Sequence, residues 1–142
     1  MIDAVAENVV TTQRGTTIAK GDAKVSTIEH AMAALYASGI DNCIIELNGP
    51  EMPILDGSAK EYCEKIAAAG LEEQKADKDF YIVKQRIEVK DEETGASILV
   101  LPDDQYSVTT ISDFNSPVLP NQQAAMVRVQ RCPTTSPLYS TY

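Results

Sequence analysis

The sequence predicts an α+β fold: a two-layer domain of sheet plus helices in the order β-α-β-β-α, followed by the first strands of a second unit. Three observations point there. Short β-rich segments punctuated by turn residues alternate with two stretches of helical character; each helical stretch opens on a serine with a glutamate three residues later; and beyond residue 77 strand-like runs follow one another with no helix between them. The 142 residues suffice for one ordinary domain, or one domain and part of another, and not for two complete catalytic domains.

In chain order, Glu7-Asn8-Val9-Val10-Thr11-Thr12 is β-rich, Arg14-Gly15 turns the chain into Thr16-Thr17-Ile18, and Lys20-Gly21-Asp22 makes the next turn, so two short extended pieces are expected. Ser26 with Glu29 has the form of a capping box, in which two side chains satisfy the unpaired amides of a helix start. Ile28, Met32 and Leu35 then recur at helical spacing among alanines, and Gly39 can take the left-handed position that closes a helix. From Asn42 to Leu47 the apolar run of Cys43, Ile44, Ile45 and Leu47 predicts a largely buried strand, ended by the turn residues Asn48-Gly49-Pro50. Met52-Pro53-Ile54-Leu55 is expected to be extended, because a proline disfavours helical backbone in the residue before it. Asp56-Gly57-Ser58 turns the chain again, Ser58 with Glu61 repeats the capping-box pattern, and a second helix runs to about Ala69, closed by Gly70.

Glu72 to Lys78 is a charged stretch without apolar periodicity and marks a domain boundary. Beyond it Tyr81-Ile82-Val83, Ile87-Glu88-Val89, Ser97 to Leu101 and Tyr106 to Ile111 predict successive strands of a meander, with turns at Glu92 to Gly95 and Pro102 to Asp104. The last stretch, 127–142, carries prolines and no periodicity that would pack; a divergent, poorly ordered tail is expected there. The resulting division is 1–76, 77–126 and 127–142.

Composition narrows the function classes. With 44% hydrophobic and 23% charged residues the chain has the make-up of a globular protein with a moderate, aliphatic core. A net charge of -9 opposes attraction to nucleic acid or an anionic membrane surface, both of which need clustered Lys and Arg. No apolar run approaches the ~18 residues of a membrane span, and no export signal opens the chain. Cys43, Cys63 and Cys132 are widely spaced and odd in number, which suggests neither a disulfide framework nor a zinc ribbon and suits a reducing cytoplasm.

The residues able to do chemistry are few. His30 is the only histidine, directly beside Glu29 in the first turn of a helix. A catalytic zinc takes about three protein ligands and an open position for water, from which a nearby carboxylate can remove a proton. Helical neighbours point roughly 100° apart, so both side chains can border one cleft. Against that stands a structural role: Glu29 as capping residue, His30 as a boundary side chain. One histidine cannot build a mononuclear zinc site unless Asp, Glu, Cys or groups outside the chain complete it. Asp56 near Ser58 is an acid beside a hydroxyl, but without a second histidine as base it reads as helix entry.

The runs Gly15-Thr16-Thr17-Ile18, Val25-Ser26-Thr27-Ile28-Glu29-His30-Ala31-Met32-Ala33-Ala34-Leu35, Gly39-Ile40-Asp41-Asn42 and Glu51-Met52-Pro53-Ile54-Leu55-Asp56-Gly57-Ser58-Ala59 closely resemble the UDP-3-O-acyl-N-acetylglucosamine deacetylase family. The match is dense over residues 7–71 and weaker after Tyr81, where Ile111 to Pro117 and Asn121-Gln122 resemble the start of that family's second domain. The resemblance implies a cytoplasmic zinc hydrolase of lipid A biosynthesis, with two similar α+β domains and its active site between them, that removes the N-acetyl group from UDP-3-O-(3-hydroxyacyl)-N-acetylglucosamine. It implies Glu29 as the general base and His30 as the first ligand of Zn2+, with the remaining ligands in a part of the second domain that this chain lacks. Residues 1–76 would then be most of the first domain, without its first strands, and 77–126 an incomplete start of the second. The sequence most resembles the Bacteroides-like form, which can be fused to a 3-hydroxyacyl-carrier-protein dehydratase. The competing expectation is a non-catalytic α+β fragment or binding module without a complete metal site.

Overall fold

The computed structural model describes residues 1–114, 116–119 and 121–126; the expected tail lies outside them. The chain is α+β and divides into two compact units, one built on Met1–Lys75 and one beginning at Ala76.

The first unit opens with a 3-10 turn at Ala6–Asn8 and a three-stranded antiparallel sheet in the order β1 (Val9–Thr11), β2 (Thr17–Lys20), β3 (Ala23–Val25). The register pairs Val9 with Ile18, and Ile18 with Val25. The central strand is the one whose side chains bury: Thr17 and Ile18 are both at or below 6% exposure. At the end of this strand Lys20 makes an exposed ion pair with Asp3 at 2.6 Å.

Helix α1 spans Glu29–Ala37 and α2 spans Lys60–Ala69. The buried residues of α1 are Ala31 and Ala34, followed by Ser38 one turn on, while Met32 of the expected apolar face is solvent-exposed. The close-packed side is therefore the alanine side, whose small side chains allow neighbouring elements to approach. Gly39, at φ 72°, closes α1 as expected, with its amide on the Tyr36 carbonyl and the Ile40 amide on the Leu35 carbonyl, the paired bonds of a Schellman end. Gly70, at φ 82°, likewise ends α2.

Neither expected capping box forms. No side chain caps α1 or α2 at its N-cap residue, Ile28 or Ala59. At α2 the Ser58 hydroxyl accepts a hydrogen bond from the Lys60 amide (3.1 Å) and donates to Asp56, so the Asp56-Gly57-Ser58 turn serves as helix entry while Glu61 stays out of it. A cavity of about 150 Å³ separates the two helices, lined by Ala31, Leu35, Ile45, Met52, Tyr62 and Ile66.

The element order of the first unit is three strands and then two helices, which corrects the expected β-α-β-β-α. The Asn42 to Leu47 run is irregular, with Ile44 82% exposed; strand propensity needs a neighbouring ladder, and among the described residues none pairs with it. What does pair is Ser26 with Glu51, a single parallel bridge in which the Ser26 amide donates to the Pro50 carbonyl and the Met52 amide to the Ser26 carbonyl. That bridge draws the buried Met52 under the sheet-to-helix junction.

The second unit holds two separate antiparallel hairpins in place of the expected meander: β4 (Ile87–Lys90) with β5 (Ser97–Val100), and β6 (Val108–Ser112) with β7 (Gln122–Met126). The β4–β5 turn falls where the sequence placed it. Asp91 organises it, its carboxylate accepting from the Glu93 and Thr94 amides and the Thr94 hydroxyl, with Gly95 at φ 73°. Tyr81-Ile82-Val83 forms no strand, and β7 has no counterpart among the expected strands. Ile87 and Val89 stand opposite Val100 and Ile98, so one face of the first hairpin is apolar, yet Val89 and Ile98 remain more than 60% exposed.

Candidate functional site

Glu29 and His30 begin α1, and both are half-buried. The position of the Glu29 carboxylate is set by a contact that spacing does not show. Its Oε2 accepts a hydrogen bond from the Thr16 amide at 2.9 Å, thirteen residues back at the entry to β2, while the Thr16 carbonyl accepts from the Ile28 amide at 3.3 Å. One residue of the β1–β2 connection, through its amide and its carbonyl, thus grips the helix start at two points. The other oxygen, Oε1, lies over Gly15, where a β-carbon would come within 3.2 Å of it. Any larger residue at 15 would push on the carboxylate.

The Thr16 amide holds the Glu29 carboxyl below its ordinary pKa, with smaller help from Glu29's own amide and from His30, against a desolvation cost. At neutral pH the group is a carboxylate with one oxygen engaged and one facing Gly15.

The backbone around this contact is strained. Among the described non-glycine residues, Arg14 (φ 58°), Thr27 (φ 58°) and Leu55 (φ 50°) are left-handed, and the first two flank the Thr16–Glu29 bond. For a β-branched residue such as Thr27 that conformation is an outlier, costing about 1–3 kcal/mol and persisting only where surrounding contacts impose it. The contact that holds Thr27 is its hydroxyl, which donates to Glu51 Oε1 at 2.6 Å. Sequence spacing pointed to Glu29 and His30 and missed Thr16, Thr27 and Glu51. Thr16 acts through its backbone and Thr27 through a conformation foreign to its residue type, so neither left a compositional signal.

The fit to a metal is poor among the described residues. Among the described residues no group of three His, Cys, Asp or Glu side chains stands close enough to hold an ion. The imidazole of His30 makes no hydrogen bond to another described residue, whereas metal-binding imidazoles usually have an acceptor that orients the second nitrogen. Two recesses lie elsewhere: the apolar cavity between the helices, and a space of about 420 Å³ lined mainly by Asp56 and charged residues of α2. The described residues, His30 included, do not make a zinc site. Asp56 and Ser58 bond each other at the α2 entry with no base beside them, as the helix-entry reading requires. Cys43 is a free, exposed thiol.

A small α+β unit that presents a held carboxylate beside an imidazole at a helix start has the makings of part of a hydrolytic site. Comparison with known proteins places it. The chain matches the family model of UDP-3-O-acyl N-acetylglycosamine deacetylase over residues 1–134, and it belongs to that family. It is 58% identical over 125 residues to a bifunctional enzyme LpxC/FabZ of Bacteroides thetaiotaomicron, covering 88% of this chain and 27% of that protein. A protein of the same name from Porphyromonas gingivalis is 53% identical over 126 residues, covering 89% of the chain and 27% of the relative. The UDP-3-O-acyl-N-acetylglucosamine deacetylase of Geotalea uraniireducens is 43% identical over 125 residues, 88% of the chain and 40% of the relative. The chain therefore spans about a quarter of the bifunctional relatives and two fifths of that deacetylase. The family match continues past Met126, where the sequence resemblance was expected to stop.

Proposed function

We propose that this chain is the part of a deacetylase that contributes the proton acceptor for hydrolysis of the N-acetyl group of UDP-3-O-(3-hydroxyacyl)-N-acetylglucosamine, a step of lipid A biosynthesis. Family membership supports the reaction class, and the Glu29 carboxylate held by Thr16 beside His30 supports the role of these residues. Water adds to the acetyl carbonyl as Glu29 takes its proton; the carbon–nitrogen bond then breaks and a proton passes to the departing nitrogen, giving acetate and the free amino sugar. A carboxylate kept ionised at neutral pH is in the form this needs.

His30 is proposed as one ligand of a zinc ion completed by groups that the described residues do not include. Residues 1–76 are read as most of the first domain and 77–126 as the start of the second, a division supported by the separate compact units. A cytoplasmic location and fusion to a dehydratase belong to the same proposal. The first rests on the nucleotide-sugar substrate, and on no helix among the described residues being long and apolar enough to cross a membrane. The second is supported by the relatives named bifunctional.

The decisive experiment replaces Glu29 by Ala in the active protein. Turnover of the nucleotide-sugar substrate should fall by roughly 10²–10⁴; retention of full activity would remove Glu29 as the base. A second reading, that the chain taken alone is non-catalytic, is favoured by the lack of a three-ligand cluster among the described residues.

A further inference from the structure

The Ser26–Glu29 junction joins two parts of the first unit. On one side Ser26 is pinned by the Pro50 carbonyl (2.9 Å) and the Met52 amide (3.1 Å), and Met52 is buried, so the 50–52 segment is a fixed post. On the other, Thr16 grips Ile28 and the Glu29 carboxylate. Between them Thr27 takes up left-handed backbone that a β-branched residue avoids. Its hydroxyl is bonded to Glu51, the partner of Ser26 in the bridge. A strained residue tethered to a fixed post, two positions before an acting carboxylate, has a directional consequence. It decides at which angle α1 leaves the junction, and hence where Glu29 and His30 point.

We propose that Thr27, held left-handed by its hydroxyl's bond to Glu51, is a positioning residue that aims Glu29 at the reacting water. The proposal rests on Glu29 being the base, but its geometric part does not. The Thr27 hydroxyl is engaged by Glu51, and its role is exerted through the start of α1. Releasing the tether lets Thr27 relax toward ordinary backbone, which turns the helix start and loosens the bond from the Thr16 amide to Glu29.

Thr27→Val keeps the shape and β-branching and removes the hydroxyl; Glu51→Ala removes the acceptor from the other side, in case one variant folds poorly. Thr27→Ser keeps the hydroxyl. Two measurements are made on each: steady-state kinetics of the catalytically competent holoenzyme with its nucleotide-sugar substrate, and hydrogen exchange of the Thr16 amide, with Glu29→Gln as reference. A misplaced catalytic group costs up to about 10²-fold. We expect Thr27→Val and Glu51→Ala to lower kcat by about 10- to 100-fold with KM little changed, and to speed Thr16 amide exchange by about tenfold or more, while Thr27→Ser stays near the parent in both. Unchanged kcat in folded Thr27→Val, with Glu29→Gln inactive, would overturn the positioning role and leave the base intact. Full activity in Glu29→Gln would overturn the base instead; the Thr16 amide then judges the geometry, and unchanged exchange in Thr27→Val would overturn that too.

Discussion

At the scale of single residues, the site is a carboxylate whose environment comes from far along the chain. Glu29 was legible in the sequence as an acid beside the only histidine, but its assigned partner was wrong: Ser26 was expected to share a capping box with it, and the Thr16 amide holds it instead. A capping box saturates a glutamate within its own helix, whereas a carboxylate reaching across to a loop amide is fixed in space and keeps its second oxygen for other work. Glu29→Ala therefore removes two things together. Turnover should fall as stated above, and the helix start should also lose protection, which exchange of the Ile28 and Thr16 amides would report. His30 presents the opposite case, since its identity was plain from the sequence and the structure adds no partner that orients it.

At the scale of elements, glycines and Asx turns were the most legible features because their conformational reasons are local. Gly39 closes α1 at φ 72°, and Gly39→Ala should destabilise the first unit by about 1–2 kcal/mol, read from the denaturant midpoint; an unchanged midpoint would contradict the Schellman end. Asp91 builds the β4–β5 turn, and its carboxyl is held below the ordinary range first by the Thr94 hydroxyl and then by the Glu93 and Thr94 amides. A depressed folded-state pKa means that the turn is stabilised above the ordinary aspartate pKa of about 3.9 and loses that help as pH falls through the lower folded value. Amide shifts of Glu93 and Thr94 should then move together at low pH, and Asp91→Asn should abolish that titration. Strands were less legible. Asn42 to Leu47 and Tyr81 to Val83 have the residues of strands and form none, while β7, Gln122–Met126, lacks them and pairs with β6. Strand formation is decided by what lies alongside, which no local window contains.

For the whole molecule, the proposed role is that of one part of a metal site. With a single histidine and no three-ligand cluster among its described residues, the chain studied alone should bind zinc weakly and without fixed stoichiometry and should release no acetate; one tight equivalent by calorimetry would contradict this. The sequence by itself determined the α+β class, the family, the glycine-closed helix C-termini, the β4–β5 turn and the adjacency of Glu29 and His30. Each of these depends on a residue type acting on its near neighbours or on motifs in fixed order. Only the tertiary structure decided which strands exist, that α1 buries its alanine side, and that Glu29 is held by Thr16 behind a left-handed Thr27 tied to Glu51. Those outcomes depend on groups meeting across thirteen and twenty-four residues of chain, a main-chain amide on a carboxylate in one case and a hydroxyl on a carboxylate in the other, and on a forced dihedral, none of which leaves a mark in composition or periodicity.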